Sequence, residues 1–394
     1  MPNYAYSFLN LFLRFRSASN GIWVIRRHSH LPKALYGGRH IVTMLPGSGI
    51  GPELMCAVKH VFMCGGVPVN FEEIETTSDI DCEESLNHAI TSIRRNGVGI
   101  KGNIEACQVI QDVVSRNVVV RNQLDLYVNV LNCKAYPSVP SRHKDLDLIL
   151  IRHNTEGEYS MIEHESVKGL VESMRITTRM NSERVARFCF EYAKNRCRKK
   201  VTSIHNKKIM TVSDGLFLST SSEVAKEYPE IEHTDMSLNE FCMKVVTNPQ
   251  QFDVLLLPNL YGNIVSHVVC GMIRGAGLIS GENYGDHYAV FETGTRNAGT
   301  QIAGKNIANP VSMLNASVDM LKYLGYYFHA DIIKTAIHKT INEDCIHTPD
   351  LGGKATSSDV LGNIISYVYE ARMAANWPYP KPHGVKGERY SIPH

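Results

Sequence analysis

The hydrophobic positions of this chain follow two spacings, and their alternation predicts an α/β fold. Short continuous apolar runs are typical of buried strands, whereas apolar residues recurring at helical intervals are typical of helices packed on a sheet. Strands, some running on into a loop, are predicted over residues 40–46, 67–75, 98–105, 145–160, 199–210, 252–257 and 288–310. Helices are predicted over residues 83–97, 182–196 and 213–229, with a closing helix within 350–373. The pattern therefore favours one large sheet flanked by helices.

The stretch over residues 252–267 holds the main site signal of the chain. Its apolar run 252–257 predicts a strand buried on both faces, and Asn259 is predicted to cap the helix that follows. Asn263 and His267 lie four residues apart, so their side chains share one face of that helix. Open α/β sheets bind ligands where a strand end leads into a helix. An ordinary capped helix with a polar face is the alternative interpretation.

Length and charge limit the classes of protein that this chain can represent. Its 394 residues suffice for two subdomains around one sheet, and its hydrophobic content of 43% is typical of a globular protein. No apolar run approaches the roughly 20 residues that span a bilayer. The net charge is +2, but six basic residues precede Glu53, the first acidic residue, so the rest is mildly acidic. We therefore expect neither a membrane nor a nucleic-acid partner.

The two ends of the chain differ in composition from its middle. The first 30 residues carry arginines and serines, lack acidic residues and space their apolar residues at helical intervals. This composition predicts a mitochondrial transit peptide over residues 1–35, with a disordered basic tail as the alternative. Residues 377–394 are rich in Pro, Lys and Gly and predict a flexible tail. The ten cysteines form no CxxC pair and no zinc-binding pattern, which favours buried reduced thiols.

Several motifs stand in the order typical of one enzyme family. PGSGIGPE begins at Pro46, NTEGEYS at Asn154, PNLYGNIVSH at Pro258 and DLGG at Asp350. Together they resemble the isocitrate/isopropylmalate dehydrogenase family from about residue 38 to 373. The resemblance implies a large twisted mixed sheet flanked by helices, in two subdomains with a β-hairpin clasp arm. The large domain then covers 36–126 and 274–376, the small domain covers 127–273, and the arm covers 159–179, where the sequence also alternates like a hairpin.

Enzymes of this family transfer a hydride to a nicotinamide and then release CO₂ from a β-keto acid. Arginines bind the substrate carboxylates because a guanidinium donates two parallel hydrogen bonds. The resemblance implies that an anion-binding set for substrate or citrate is retained here, namely Ser115, Asn117, Arg121, Arg152 and Tyr159. One family arginine is replaced by Leu131, and the usual glutamate after Arg152 is His153. Without the family, the segment SRNVVVR is as easily a surface turn with solvated arginines.

The residues that carry the chemistry in this family are replaced. The three metal-binding aspartates correspond to Asn239, Asn263 and His267, and the proton-transferring lysine corresponds to Asn206. Mg²⁺ prefers carboxylate oxygens, and each lost charge removes roughly 4 kcal/mol of attraction at about 4 Å and an effective dielectric of about 20. We therefore expect no intact catalytic or metal site on this chain. The alternative is that Lys207, if it lies on a loop, replaces the lost lysine.

The segment TRNAG, which begins at Thr295, resembles the regulatory γ subunits of mitochondrial NAD-dependent isocitrate dehydrogenase. In those subunits this loop helps to bind ADP, which implies a nucleotide site at Arg296, Asn297 and Asn309, although a solvated loop is the alternative. Ala106 and Val118 depart from the regulatory pattern.

The expected protein is a non-catalytic, γ-like regulatory subunit in the mitochondrial matrix, with citrate and ADP as possible effectors. It would pair with a catalytic isocitrate dehydrogenase subunit that carries the NAD and the Mg or Mn ion. This chain itself is expected to bind no cofactor. Two alternatives stay open: an effector-blind structural paralogue, or an active dehydrogenase whose metal site is rebuilt around His267.

Overall fold

The computed structural model describes residues 38–75, 82–104, 116–295 and 297–375. The predicted transit peptide (1–35) and the predicted tail (377–394) lie outside these residues. Within the described part of the chain, no helix is long and apolar enough to cross a membrane. The division into two subdomains stays a prediction.

Twelve strands are present in the described residues, and ten of them form one mixed sheet. The strands are β1 His40–Leu45, β2 Val69–Glu73, β3 Val98–Lys101, β4 Val128–Lys134, β5 Asp147–His153, β6 Glu163–Val167, β7 Leu170–Ser173, β8 Lys200–His205, β9 Glu232–Ser237, β10 Val254–Leu257, β11 Ser280–Tyr284 and β12 Ala289–Thr293. Their order across the large sheet is β2-β1-β3-β12-β11-β4-β5-β10-β8-β9. β11 is antiparallel to both of its neighbours, and β4 is antiparallel to β5, while the other pairs are parallel. The predicted large mixed sheet is confirmed.

Helices cover the sheet. They are α1 Gly51–Gly65, α2 Cys82–Asn96, α3 Arg116–Gln123, α4 Arg179–Asn195, α5 Ser213–Ala225, α6 Leu238–Thr247, α7 Asn259–Met272, α8 Val311–Tyr323, α9 Tyr327–His338 and α10 Ser357–Ala374. Short 3-10 turns and one π-helical turn, Lys339–Glu343, connect some of these elements.

The centre of the sheet is buried on both faces. β10 consists of four apolar residues, Val254, Leu255, Leu256 and Leu257, all fully buried. Alternate residues of this strand belong to different apolar clusters, one on each side of the sheet. Since a strand between two parallel neighbours must bury both faces, its sequence is a continuous apolar run rather than an alternating one. The predicted burial of this strand is confirmed.

The predicted hairpin is present. β6 and β7 pair only with each other, and every residue of both strands is exposed. Val167, Leu170 and Val171 leave more than half of their surface in solvent. An isolated two-stranded hairpin is marginally stable in water, so this exposed apolar arm fits a segment that another surface covers.

One local prediction was wrong. Asn259 is the first residue of α7 rather than its cap, because Pro258 precedes the helix without a side-chain cap bond and Asn259 uses its amide elsewhere. The segment after residue 115 is helix α3, which excludes the alternative of a surface turn with solvated arginines, since Arg116, Asn117 and Arg121 are buried on it. The expectation that the thiols are buried was also only partly right, since Cys197, Cys242 and Cys345 are exposed.

The glycine-rich turn before α1 brings two distant loops together. A Cβ atom on Gly47 would lie 2.5 Å from the carbonyl oxygen of Asn103, and one on Gly49 would lie 2.1 Å from that of Ala298. Both glycines also adopt positive φ angles, 73° and 63°. Glycine is required here because any side chain would separate the loops that follow β3 and β12.

Candidate functional site

The candidate site begins where β5 ends beside β10. Arg152 pairs with Leu257 in the parallel register of these strands, and α7 begins two residues after Leu257. The first turn of α7 therefore runs directly over the Arg152 side chain. A Cβ atom on Gly262 would lie 2.6 to 2.9 Å from the Cβ, Cγ and Cδ atoms of Arg152. Only glycine allows the helix and this arginine to approach so closely.

Arg152 is held by amide groups of the helix. Its Nε and Nη2 atoms donate to Oδ1 of Asn259 at 3.1 and 2.7 Å, and its Nη1 atom donates to Oδ1 of Asn263 at 3.0 Å. Asn263 in turn donates to the hydroxyl oxygen of Tyr159 at 2.8 Å. The guanidinium carbon lies 5.3 Å from the centre of the Tyr159 ring, within cation–π range. Three predicted site residues thus form one connected group.

His267 lies one helical turn beyond Asn263 on the same face. Its Nδ1 atom lies 2.8 Å from the backbone oxygen of Asn263, and since a carbonyl only accepts, Nδ1 carries the proton. Both residues line one pocket, as their spacing predicts, with Asn129, Leu131, Arg152, Ser266, Glu292, Gly294 and Thr295.

A second buried cationic group lies beside the first. Lys101 donates to Oδ1 of Asn117 at 2.9 Å and lies 2.5 Å from Glu292, while an Nη2 atom of Arg121 lies 3.7 Å from the same carboxylate. Lys101, Arg116, Arg121 and Arg152 are each at most 5% exposed. Because Glu292 also lines the pocket, it joins this group to Arg152. The predicted residues Asn117, Arg121 and Arg152 are therefore brought together, while Ser115 lies outside the described residues.

Three residues of this cationic group were missed from the sequence, namely Lys101, Arg116 and Glu292. Lys101 opens the KGN segment and Glu292 ends an apolar strand, so both positions carried a signal: a charged residue at the carboxyl end of a buried strand. Arg116 adjoins predicted site residues. Burying this many cations in a low-dielectric region is costly unless anions compensate them.

His153 follows Arg152 in the chain and is buried. Desolvation, aided by the charges of Arg184 and Arg152 and opposed by Glu156, lowers the pKa of its imidazole to about 4. The side chain is therefore neutral near neutral pH, and it adds no charge to the pocket.

Asn206 and Asn239 lie apart from the pocket lining. The backbone N–H of Asn206 donates to the buried carboxylate of Asp214 at 2.6 Å, which fixes the start of the loop after β8. Asn239 lies exposed in the first turn of α6. Lys207 is exposed as well, so the structure does not bring it to Arg152 or Asn263.

The predicted nucleotide residues are only partly observed. Arg296 lies outside the described residues, and Asn297 is exposed. Asn309 is buried, and its side chain already has partners: it donates to Asp350 at 3.0 Å and accepts from the N–H of Val311 at 3.0 Å. A nucleotide at this position would therefore compete with the bonds that hold the start of α8.

Comparisons with known proteins establish the family of this chain. The family described as isocitrate/isopropylmalate dehydrogenase matches residues 41–364. The chain belongs to that family. It is 50% identical over 338 residues to the human mitochondrial isocitrate dehydrogenase [NAD] subunit gamma, covering 86% of each chain. It is 43% identical over 334 residues to the human subunit beta, covering 84% of this chain and 87% of the relative. The crystal structure of isocitrate dehydrogenase from Methylococcus capsulatus matches with a TM-score of 0.79 and 35% identity, over 84% of this chain and 99% of that one.

Membership of the isocitrate/isopropylmalate dehydrogenase family makes the metal question specific. Dehydrogenases of this family use NAD and Mg or Mn in catalysis. Among the described residues, no group of three His, Cys, Asp or Glu side chains could hold a metal ion. At the two helix positions the donors are one amide oxygen, which already accepts from a guanidinium, and one imidazole. These groups do not fit Mg²⁺, which requires hard, charged oxygen ligands.

Proposed function

We propose that this chain is a non-catalytic, γ-like regulatory subunit of a mitochondrial NAD-dependent isocitrate dehydrogenase. One observation carries the proposal: Arg152 donates to the Oδ1 atom of Asn263, an oxygen that would face the metal in a catalytic chain. A cationic N–H group directed at this oxygen opposes a divalent ion at the same place. The pocket keeps its cations and has lost the charges that hold the metal.

The proton chemistry is also missing. Asn206, at the position of the family lysine, neither gains nor loses a proton near neutral pH, so it cannot act as a general acid or base. Lys207 points into solvent. The relatives named as gamma and beta subunits support a role as one subunit of a larger enzyme. Their names also support a mitochondrial location.

The retained pocket is suited to a polycarboxylate such as citrate. Arg152 and Glu292 line it, and the buried cations Lys101 and Arg121 lie against Glu292. A guanidinium forms stronger hydrogen bonds with a carboxylate than with the neutral amides that hold Arg152 here. Citrate would bind through Asn117, Arg121, Arg152 and Tyr159, with Ser115 as the remaining predicted contact. ADP would bind at Arg296, Asn297 and Asn309.

The partner would be a catalytic isocitrate dehydrogenase subunit, which supplies the NAD and metal sites. The exposed hairpin of β6 and β7 is the surface through which this chain would clasp it. The chain would have two domains, a large one formed by residues 36–126 and 274–376 and a small one formed by residues 127–273.

Two measurements on the purified mature chain test the proposal. Calorimetry should detect citrate binding that Arg121→Leu abolishes and that Lys226→Leu, at the exposed position directly after α5, leaves unchanged. Isocitrate with NAD and Mn²⁺ should give no turnover by the chain alone. Two silent titrations of folded protein, with citrate and with ADP, would support the effector-blind alternative. Turnover that a chelator abolishes would instead establish an active dehydrogenase.

A further inference from the structure

A carboxylate forms one of the ties between the base of the β6–β7 hairpin and the rest of the protein. Glu156 lies in the loop after β5, and its carboxylate accepts from the backbone N–H of Thr178 at 2.9 Å and from the Thr178 hydroxyl at 2.7 Å. It also accepts from the side-chain amide of Asn181. Thr178 caps α4, the helix that the chain enters directly after the hairpin. Glu156 thus fixes the point where the arm rejoins the fold.

The same residue is also bound to the pocket. The side-chain amide of Asn259 donates to the backbone oxygen of Glu156 at 2.5 Å. The Oδ1 atom of that Asn259 side chain accepts two hydrogen bonds from Arg152, one from Nε and one from Nη2. One asparagine therefore joins the pocket arginine to the peptide that carries Glu156. The adjoining Gly157 donates to the backbone oxygen of Ile176 at 3.0 Å, which adds a second tie at the same place.

We infer that Glu156 is a positioning residue that transmits anion binding at Arg152 to the clasp arm, through Asn259. The inference rests on the proposed effector site and extends it, because it names the residues that link the site to the partner-binding surface. A bound carboxylate competes with Asn259 for the guanidinium donors, since charge-assisted bonds are the stronger ones. Asn259 then turns or shifts, and its bond to the Glu156 peptide changes with it.

The simpler role for Glu156 is a negative charge at the start of α4. A carboxylate at a helix N-terminus is stabilising by about 0.3–1 kcal/mol, and that role requires no ligand. The two roles differ in one measurable respect. A purely structural Glu156 affects the arm equally with and without citrate, whereas a transmitting Glu156 makes the arm respond to citrate. Spatial linkage alone does not establish coupling, so the test must measure the response.

The experiment is hydrogen exchange of the mature chain, measured with and without citrate, on peptides that cover residues 163–173 and 178–184. Citrate should change exchange there by about fivefold or more, the lower end of allosteric coupling energies. In Glu156→Gln the citrate affinity should stay within about threefold, a change of under 1 kcal/mol, while the response of the arm is lost. Glu183→Gln is the matched control, because that carboxylate lies on α4 and bonds Arg187 rather than the pocket loop.

The possible outcomes are distinct. An arm that does not respond to bound citrate in the wild type overturns the inference and leaves the effector site standing. The same holds if Glu156→Gln still responds. If calorimetry detects no citrate binding, both the inference about Glu156 and the proposed effector site are overturned. If Glu156→Gln fails to fold, Asn181→Ala removes one bond to the same carboxylate while keeping the Thr178 cap, and it should weaken the arm response without changing citrate affinity.

Discussion

The guanidinium of Arg152 donates to the side-chain oxygen of Asn263 across 3.0 Å, and Asn263 donates onward to Tyr159. An asparagine can do both, because its amide carries an acceptor and a donor. An aspartate could only accept. The amide therefore makes position 263 a link between Arg152 and Tyr159 within the pocket.

Asn263→Asp should weaken citrate binding by about tenfold or more, equivalent to about 1.4 kcal/mol. The new carboxylate would pair with Arg152 permanently and repel the ligand. Calorimetry measures the effect, and Asn195→Asp, the same substitution at the exposed end of α4, serves as the control. Unchanged citrate affinity in Asn263→Asp would show that Arg152 is not a ligand-binding group.

Gly262→Ala should lower the free energy of unfolding and abolish citrate binding. The added methyl group would overlap the near end of the Arg152 side chain, which cannot move without shifting β5. Overpacking of this kind costs about 1–3 kcal/mol. Gly271→Ala is the matched control on the same helix, because a Cβ atom there meets nothing within 4 Å. Denaturant titration should separate the two variants, and equal stabilities would contradict the close packing described above.

The double variant Asn206→Lys with Asn239→Asp should raise the activity of a complex with a catalytic subunit. Both positions lie outside this chain's own pocket, and we propose that they serve the active site of the partner subunit. General acid–base catalysis contributes about 10²–10⁴-fold in rate, so a gain of roughly tenfold is expected even with imperfect placement. NAD reduction with and without citrate and ADP is the measurement. Lys207→Ala should change nothing. If that variant loses activity instead, Lys207 has taken over the role of the lost lysine.

The free energy of unfolding should decrease in acid because His153 must be protonated there. The folded-state pKa is lowered from 6.5 to about 4, so the unfolded chain binds the proton more readily. The stabilisation is complete above about pH 6.5 and is lost as the pH falls towards 4, by roughly 3 kcal/mol at most. His153→Gln should remove this part of the acid sensitivity in denaturant titrations at a series of pH values. His164→Gln, in the exposed hairpin, should leave it unchanged, and a parallel pH profile for His153→Gln would contradict the prediction.

The contribution of Glu282 to stability should have the opposite pH dependence, decreasing as the pH rises. Burial, together with the nearby charge of Asp319, raises the pKa of its carboxyl group to about 7. This stabilising contribution is fully present below the unfolded pKa of about 4.5 and is lost as the pH rises through 7. Glu282→Gln should therefore flatten the stability profile between pH 5 and 8. A variant that loses stability equally at every pH would show that only hydrogen bonding to Tyr284 and Asn132 is affected.

The sequence by itself determined the class of fold and the family, and it singled out some of the residues that line the pocket. The apolar run of β10, the alternating hairpin and the ordered motifs are local patterns, and local patterns follow directly from residue order. They also sufficed to show that amide and imidazole groups replace carboxylates at 263 and 267, since that statement needs only a position and a residue type.

Only the tertiary structure decided how those residues are connected. Asn259 reads as a helix cap in the sequence, yet it joins Arg152 to Glu156 because β5 and β10 are parallel neighbours and α7 starts directly above them. Lys101, Arg121 and Glu292 come from three separate segments, and their ion pairs form only when β3 and β12 lie side by side. Hydrogen bonds between residues over a hundred positions apart depend on strand order, which no local spacing encodes.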